Sequence, residues 1–308
     1  IPEAHGGSGL GVLDAAVAAE TLGYEAAPAP FAASMVMAPL ALMSSGDGAQ
    51  QAAWLPRVAS GEVRFGLGLG GFAGTSEAAD LSLGDGRLSG RMEGVLDGGA
   101  ATHFLVYLAD GRPAIVDAAG EGVDATAAAS LDGTRPLTTV ELKGADAEIL
   151  DAANDPMGAA LSVLDAGRVM LAADTLGAGQ RMIDNAVEYA GDRVQFDRPV
   201  ASFQAVKHMC ADMVTNLEPC RALVWYAAYA QNAVPTECRM AACHAKAHLA
   251  EVGRDVARTA TEVHGGMGFT DLMGLHFWFK RISFDRQILG GPERCRHDAA
   301  VAQGWAAA

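Results

Sequence analysis

The chain has 308 residues, of which 50% are hydrophobic and 19% charged, a composition that excludes disordered and fibrous classes and a length that can bury a large core. With 37 acidic against 22 basic residues the formal net charge is -15, which argues against a nucleic-acid backbone or an anionic membrane as partner. An anionic ligand would need a local cluster of cations rather than the field of the whole molecule.

The five cysteines, Cys210, Cys220, Cys238, Cys243 and Cys295, sit in helical or apolar context without paired metal-ligand spacing. They read as buried reduced thiols of a cytoplasmic protein, and no metal site is expected. No apolar run reaches the roughly 18 residues that span a bilayer, so no membrane insertion is expected. The chain opens at Ile1 without methionine, and we expect a preceding segment to have been removed or left out, so that the first helical region is incomplete.

Residues 1–62 read as a helical region. Gly6, Gly7, Gly9 and Gly11 precede a helical stretch through Leu13, Ala16, Val17 and Leu22, and a second runs from Met35 to Met43. After Asp47-Gly48, Ala52, Leu55 and Val58 recur at spacing three and end at Gly61, as at a helix C-terminus. Residues 63–150 change texture to short apolar runs, such as Phe104 to Leu108 and Ala114 to Val116. Asp-Gly pairs at Asp85, Asp97, Asp110 and Asp132 separate them, which predicts a compact β domain, a barrel or sandwich. Residues 151–308 return to helix. One long helix is predicted from Leu161 to Gly191, and a second carries the stripe Val206, Met209, Cys210, Met213, Leu217, Cys220 and Leu223. A third runs from about Glu237 to Val263 and a fourth from Leu275 to Val301. Helices of this length pack as an antiparallel four-helix bundle, so the fold class is α+β in three parts. Their Ala- and Met-rich faces imply an oligomer.

Local motifs sharpen this. The stretch Val187-Glu-Tyr-Ala-Gly-Asp-Arg-Val-Gln-Phe-Asp-Arg-Pro-Val-Ala-Ser-Phe-Gln204 resembles the acyl-CoA dehydrogenase signature in which Arg-x-x-Phe-Gly is followed by Pro and Phe-Gln. Val263-His-Gly-Gly-Met-Gly-Phe269 resembles the same family's Gln-x-x-Gly-Gly-x-Gly turn, with Glu262 in place of Gln. Pro2 to Gly11 and Trp54 to Gly61 look like the family's amino-terminal domain. The resemblance covers essentially the whole chain. It implies α,β-dehydrogenation of an acyl-CoA thioester with FAD, and it places the flavin contacts on Arg193, Gln195, Phe196, Gln204, Glu262, Gly265 and Gly266. In such proteins these residues reach across a dimer interface to FAD held mainly by the neighbouring chain. An arginine fork can hold pyrophosphate oxygens, and glycines let a backbone approach the dinucleotide. The alternatives are that Arg193 caps a helix C-terminus and that Gly265-Gly266 is an ordinary turn.

The departures from the family's pattern carry equal weight. The Thr-Glu-Pro-x-x-Gly-Ser-Asp segment that holds the flavin ring matches Gly70 to Glu77, where only Ser76 and the acid Glu77 survive. The Trp-Ile-Thr-Asn segment matches Gly94-Val-Leu-Asp97, without indole or hydroxyl. Removing the α-proton needs a carboxylate over the α-carbon. The two positions at which the family carries that glutamate correspond to Gly167, within Leu164 to Arg168, and to Gly290, counted from Arg281. No catalytic residue is therefore expected. Asp165, Asp285 and Glu293 read as solvated helix acids, and His264 and His276 as hydrogen-bonded structural histidines. Three readings stay open. The chain is a noncatalytic subunit beside a catalytic acyl-CoA dehydrogenase chain, in a heterotetramer such as those of bacterial steroid side-chain catabolism; or it is a self-sufficient homodimeric or homotetrameric dehydrogenase with an unusual base; or it is a flavin-free structural or binding homologue.

Overall fold

The computed structural model of the protein describes residues 1–69, 72 and 81–307. Compactness divides the chain into two units, one of Ile1–Ala15 and Ala29–Arg168, the other of Ala16–Pro28 and Val169–Ala308. The helical, β and helical textures follow one another along the chain as expected, while the first two are gathered largely into one unit.

In the first unit, helix α1 (Val12–Tyr24) begins, and a wide π-type turn over Phe31–Met37 runs into α2 (Ala38–Ser45) and then α3 (Gly48–Ala59). The start of α3 is fixed by a reciprocal cap. Asp47 Oδ1 accepts from the Gln50 amide at 2.8 Å while Gln50 Oε1 accepts from the Asp47 amide at 3.0 Å. Leu55 and Val58, the residues of the predicted stripe, are fully buried.

The β region is a single sheet of β1 (Phe65–Gly68), β2 (Ser82–Gly84), β3 (Arg87–Leu96), β4 (His103–Tyr107), β5 (Pro113–Asp117), β6 (Val123–Ala128), β7 (Leu137–Asp146) and β8 (Glu148–Ile149). Its order is β6-β7-β3-β1-β4-β5-β8, with β2 added on β3. Among the described residues these strands form one continuous hydrogen-bonded path, the β domain expected in the middle of the chain. The central strand β1 is buried along its length and pairs parallel to β4, Phe65 opposite His103; the other pairings are antiparallel. The core on this sheet is built from Leu88, Met92, Val95, Phe104, Val106, Ala114, Val116, Val140 and Leu142. The Asp-Gly pairs at Asp85, Asp110 and Asp132 lie between paired antiparallel strands, as read from the sequence. Asp97-Gly98 does not make a hairpin. It leads from β3 past β1 to β4, so the two strands that it joins are not neighbours, and buried Asp97 accepts at Oδ2 from the Ala33 amide at 3.2 Å.

Helix α4 (Pro156–Asp192) runs on into the second unit, where it is followed by a small hairpin of β9 (Val194–Gln195) and β10 (Arg198–Pro199), then α5 (Gln204–Ala233), α6 (Cys238–Val263), α7 (Leu275–Gln287) and α8 (Pro292–Ala302). The predicted fourth helix is thus two. Leu289 at φ 58° and Gly290 at φ 97° break it, because neither conformation continues a right-handed helix. Helix α5 packs along α6, and α6 against both α7 and α8, where Cys243, Ala247, Cys295 and Ala299 form a small buried cluster. Backbones touch where side chains vanish. A Cβ on Gly177 would lie 1.8 Å from the Glu20 carbonyl oxygen, and one on Gly23 would lie 2.0 Å from that of Asp174. Cys210 and Cys238 are half-buried rather than buried, and the five cysteines form no disulfide among the described residues. No helix among the described residues is long and apolar enough to cross a membrane.

Candidate functional site

Arg193 follows the last turn of α4, its amide bonded to the Tyr189 carbonyl at 2.9 Å. Its guanidinium is exposed and makes no hydrogen bond or ion pair among the described residues. The carbonyl of Arg193 accepts from the Val200 amide at 2.7 Å, which closes the β9–β10 hairpin. The tip of that hairpin is Phe196-Asp197, at φ 54° and 61°. Consecutive left-handed residues define a type I′ turn, and the absence of glycine makes this one strained. Phe196 stands 84% exposed at the tip, its ring edge-on to Phe203 at 6.0 Å, and Arg198 lies over Phe203 at 4.1 Å. Gln195 is exposed and turned onto the Val194 carbonyl at 2.8 Å, and Gln204 opens α5 with its amide 3.0 Å from His208 Nε2.

The second motif ends α6. Glu262 is exposed, and Gly265 and Gly266 have nothing within 4 Å of the place a Cβ would take, Gly265 at φ 59°. His264, beside them, is 2% exposed, bonded through Nδ1 to the Ala260 carbonyl at 2.7 Å and stacked on Tyr189 with ring centroids 4.5 Å apart. Tyr189 is one turn before Arg193, so this stack ties the end of α4 to the Gly265-Gly266 turn. Burial pushes the His264 pKa down, only partly offset by the bond to Ala260, so the ring is held neutral. His276 lies 3.7 Å from Asp271 through Nδ1.

Neither expected base position carries a proton acceptor. Gly167 is buried inside α4. Gly290 is buried in the turn between α7 and α8, and its carbonyl accepts from Lys246 Nζ at 3.4 Å. Lys246 is itself only 2% exposed and also donates to the carbonyls of Asp285 and Arg286, the latter at 3.1 Å. It therefore satisfies the C-terminal end of α7 from a helix some 40 residues earlier, a partner that sequence reading missed, because no local pattern marks it. Of the acids read as solvated, Glu293 is exposed, but Asp165 and Asp285 are buried, at 2% and 1%. Asp165 pairs with Arg168 at 3.4 Å, and Asp285 accepts from Thr175 Oγ1 at 3.4 Å. Both are held by partners that a polarity pattern cannot reveal. A third buried carboxylate, Asp174, grips Arg281 through two bonds of 2.7 Å.

Whether these residues suit a flavin dinucleotide can be tested on its two ends. At the phosphate and ribose end they fit: an exposed guanidinium, an exposed aromatic ring and an open glycine backbone lie on the linked ends of α4 and α6, with the exposed acids Asp192, Asp197 and Glu262 opposing them. At the ring end Asp97 is consumed by the Ala33 amide and Gly94 has no side chain, while the residues Ser76 and Glu77 lie outside the described part of the chain. Among the described residues no group of three or more metal-ligating side chains converges.

This fold and these motifs are those of the acyl-CoA dehydrogenase class. Residues 154–302 match the acyl-CoA dehydrogenase C-terminal domain and residues 1–62 the N-terminal domain of that family. The acyl-CoA dehydrogenase FadE27 of Mycobacterium tuberculosis is 31% identical, the match covering 94% of this chain and 80% of FadE27. Acyl-CoA dehydrogenase IpdE2 of Mycolicibacterium smegmatis is 28% identical over 95% of this chain and 79% of its own. Among solved structures, the ChsE4-ChsE5 complex from Mycobacterium tuberculosis superimposes with a TM-score of 0.86 at 30% identity, covering 100% of this chain and 84% of that one. The Tcur3481-Tcur3483 steroid acyl-CoA dehydrogenase variant gives 0.87 at 28% identity, covering 99% and 84%. The chain belongs to the acyl-CoA dehydrogenase family, a family of FAD-dependent oxidoreductases that act on acyl-CoA.

Proposed function

We propose that this chain is the noncatalytic subunit of a heteromeric FAD-dependent acyl-CoA dehydrogenase, and that it completes the flavin site of a catalytic partner chain. The observation that carries the reading is the pair Gly167 and Gly290: glycine stands at both base positions, while the residues that would reach a neighbour's cofactor, Arg193, Phe196, Gln204, Gly265 and Gly266, are present and exposed. Glycine has no group that can take a proton, so no step of acid-base chemistry starts at either place.

FAD, when bound, supplies the hydride acceptor for desaturation of the acyl chain. This chain's part is binding and orientation. Arg193 offers a forked donor to the phosphate oxygens, and Phe196 packs against the dinucleotide with Gln195 and Gln204 beside it as donors. Gly265 and Gly266 let the backbone approach closely, and Glu262 accepts from ribose or adenine donors. The proton acceptor belongs to the partner. The reading is supported by the likeness to two structures whose titles name paired chains, ChsE4-ChsE5 and Tcur3481-Tcur3483, the latter described as a steroid acyl-CoA dehydrogenase. A bulky acyl-CoA, of the steroid side-chain kind, is the substrate class that we assign to the assembly. The three-part division at residues 1–62, 63–150 and 151–308 is retained as the organisation of the subunit.

Coexpression with candidate catalytic chains, followed by flavin quantification, tests the reading. We expect a complex with bound flavin and dehydrogenase turnover, and little flavin on this chain alone. Arg193→Ala should lower flavin in that complex without unfolding either chain. A homogeneous preparation of this chain with full flavin content and turnover on acyl-CoA would overturn the proposal.

A further inference from the structure

The second unit carries a cleft of about 530 Å³ that none of the seven proposed flavin-contacting residues lines. One wall is a single face of α4, namely Arg181, Asn185, Glu188, Tyr189 and Asp192; the opposite wall is Asp271 to Gly274 with Phe277 and Trp278, and His264 joins the two. The cleft's charges are unequal. Glu188, Asp192 and Asp271 are exposed carboxylates, whereas the one cation, Arg181, is already engaged: it lies over the rings of Tyr24 at 4.9 Å and Trp278 at 5.5 Å and donates to the Tyr24 hydroxyl at 3.3 Å.

An independent observation comes from His264. Its Nδ1 faces the Ala260 carbonyl at 2.7 Å, so in the neutral ring Nδ1 carries the proton and Nε2 is an acceptor. Nε2 is buried and has no hydrogen-bond partner among the described residues. A buried acceptor left without a donor is costly, and its wall of acids and aromatic faces is matched by a group rich in N–H donors that also stacks on rings. A guanidinium or ammonium has those properties; a phosphate or carboxylate has the opposite ones.

The surroundings of the cleft indicate how that group arrives. Leu272 in its wall is 85% exposed, Phe277 is 48% exposed, and Phe269, in the turn that follows His264, is 82% exposed. An apolar surround enclosing a charged anchor is the pattern of a protein interface, in which arginine is an enriched hot-spot residue. The cleft is also continuous in sequence with the proposed flavin-contacting surface, since Asp192 precedes Arg193 and His264 precedes Gly265.

We propose that this cleft receives an arginine or lysine side chain of the catalytic partner chain, with Glu188, Asp192 and Asp271 as counter-charges and His264 Nε2 as an acceptor. The inference rests on the reading that the chain works beside a catalytic one, and adds the contact by which the two recognise each other.

The test uses the complex with the coexpressed catalytic chain. The triple variant Glu188→Gln/Asp192→Asn/Asp271→Asn and, separately, His264→Phe are compared with the unaltered chain for dissociation constant by analytical ultracentrifugation at low and high salt. We expect the triple variant to weaken the complex by about ten-fold or more and to flatten its salt dependence. His264→Phe, which removes only the acceptor, should weaken it by a smaller factor with the salt dependence kept. In the unaltered complex the 15N signal of His264 Nε2 should shift to that of a hydrogen-bonded acceptor. An unchanged dissociation constant in the triple variant overturns the proposal. So does a loss confined to self-association of this chain, which would make a second copy the occupant. Failure of the subunit reading itself looks different: no catalytic chain binds even the unaltered protein, and flavin accompanies this chain alone.

Discussion

Lys246 holds the carbonyl of Gly290 at 3.4 Å, so the residue standing where a proton acceptor is expected is anchored by a buried cation from α6. The same ammonium serves the carbonyls of Asp285 and Arg286 and thereby ends α7. Lys246→Met should leave these carbonyls without that donor and destabilise the protein by about 2–4 kcal/mol. Urea unfolding gives the total. Hydrogen exchange at Leu289 to Gly291 locates it, and uniform protection across the α7–α8 turn in the variant would contradict the anchoring role.

Arg281 and Asp174, both nearly inaccessible, form a two-bond ion pair, and Arg281 also donates to the Ala27 carbonyl at 3.0 Å. Removing one member leaves the other charged in a dry site, at a cost of about 3–5 kcal/mol. Arg281→Met and Asp174→Leu are each expected to fall in that range, and the double variant to lose clearly less than their sum. Additive losses in a double-mutant cycle would show that the two do not act as a pair.

Asp197, at φ 61° in the hairpin tip, occupies a conformation that glycine adopts without strain. Asp197→Gly should raise stability by about 0.5–1 kcal/mol. Phe196→Ala should be close to neutral in the isolated chain, because the ring is 84% exposed, and should lower flavin retention in the assembled complex. Thermal unfolding and flavin release, measured side by side, separate these effects; a large stability loss in Phe196→Ala would make that ring a structural residue.

Acid sensitivity has two named sources. Burial lowers the pKa of His264 and of His103 below 6.5, for His103 against the raising influence of Asp117 and Glu62. A histidine with a depressed folded pKa binds fewer protons folded than unfolded, so its contribution is full above 6.5 and is lost as pH falls toward the folded pKa. Stability should therefore drop as the solution is taken from pH 7 to pH 5, with a slope of up to about 1.4 kcal/mol per pH unit for each group. His264→Gln and His103→Gln should each flatten the curve of urea midpoint against pH; an unaltered slope in both would remove these histidines from the explanation.

The parts of the fold that were legible in the sequence are those fixed by local chemistry. The stripe of Leu55 and Val58 and the hairpins at Asp85, Asp110 and Asp132 need only neighbours in sequence, and α4, α5 and α6 carry enough turns for their pattern to accumulate; the Asp47–Gln50 cap is equally local but was not read. What was not legible depends on distant partners. Asp165 and Asp285 carry the polarity of surface residues, and only Arg168 and Thr175 in place around them make burial affordable. Lys246 reads as one more charged helix residue until α7 ends against it. The parallel pairing of β1 with β4 overrules a hairpin signal at Asp97-Gly98, because the buried carboxylate has a backbone amide to hold. The cleft drew no attention because its lining is divided between α4, His264 and the segment from Asp271 to Trp278, which no single sequence pattern joins.

The last prediction concerns Gly290 itself. At φ 97° it lies in a region that side-chain-bearing residues rarely adopt, so any Cβ there is strained whatever follows it. Gly290→Ala and Gly290→Glu should each destabilise the chain by about 1–2 kcal/mol, and by nearly equal amounts if backbone strain rather than charge is the cause. Because Lys246 and the Cys295 thiol both donate to this carbonyl, the turn has little freedom to relax, and a glutamate installed here would stand on a backbone held for glycine. Calorimetry of both variants decides the point: a Gly290→Glu protein as stable as the unaltered chain would mean that the turn rearranges readily and that its backbone does not require glycine at this position.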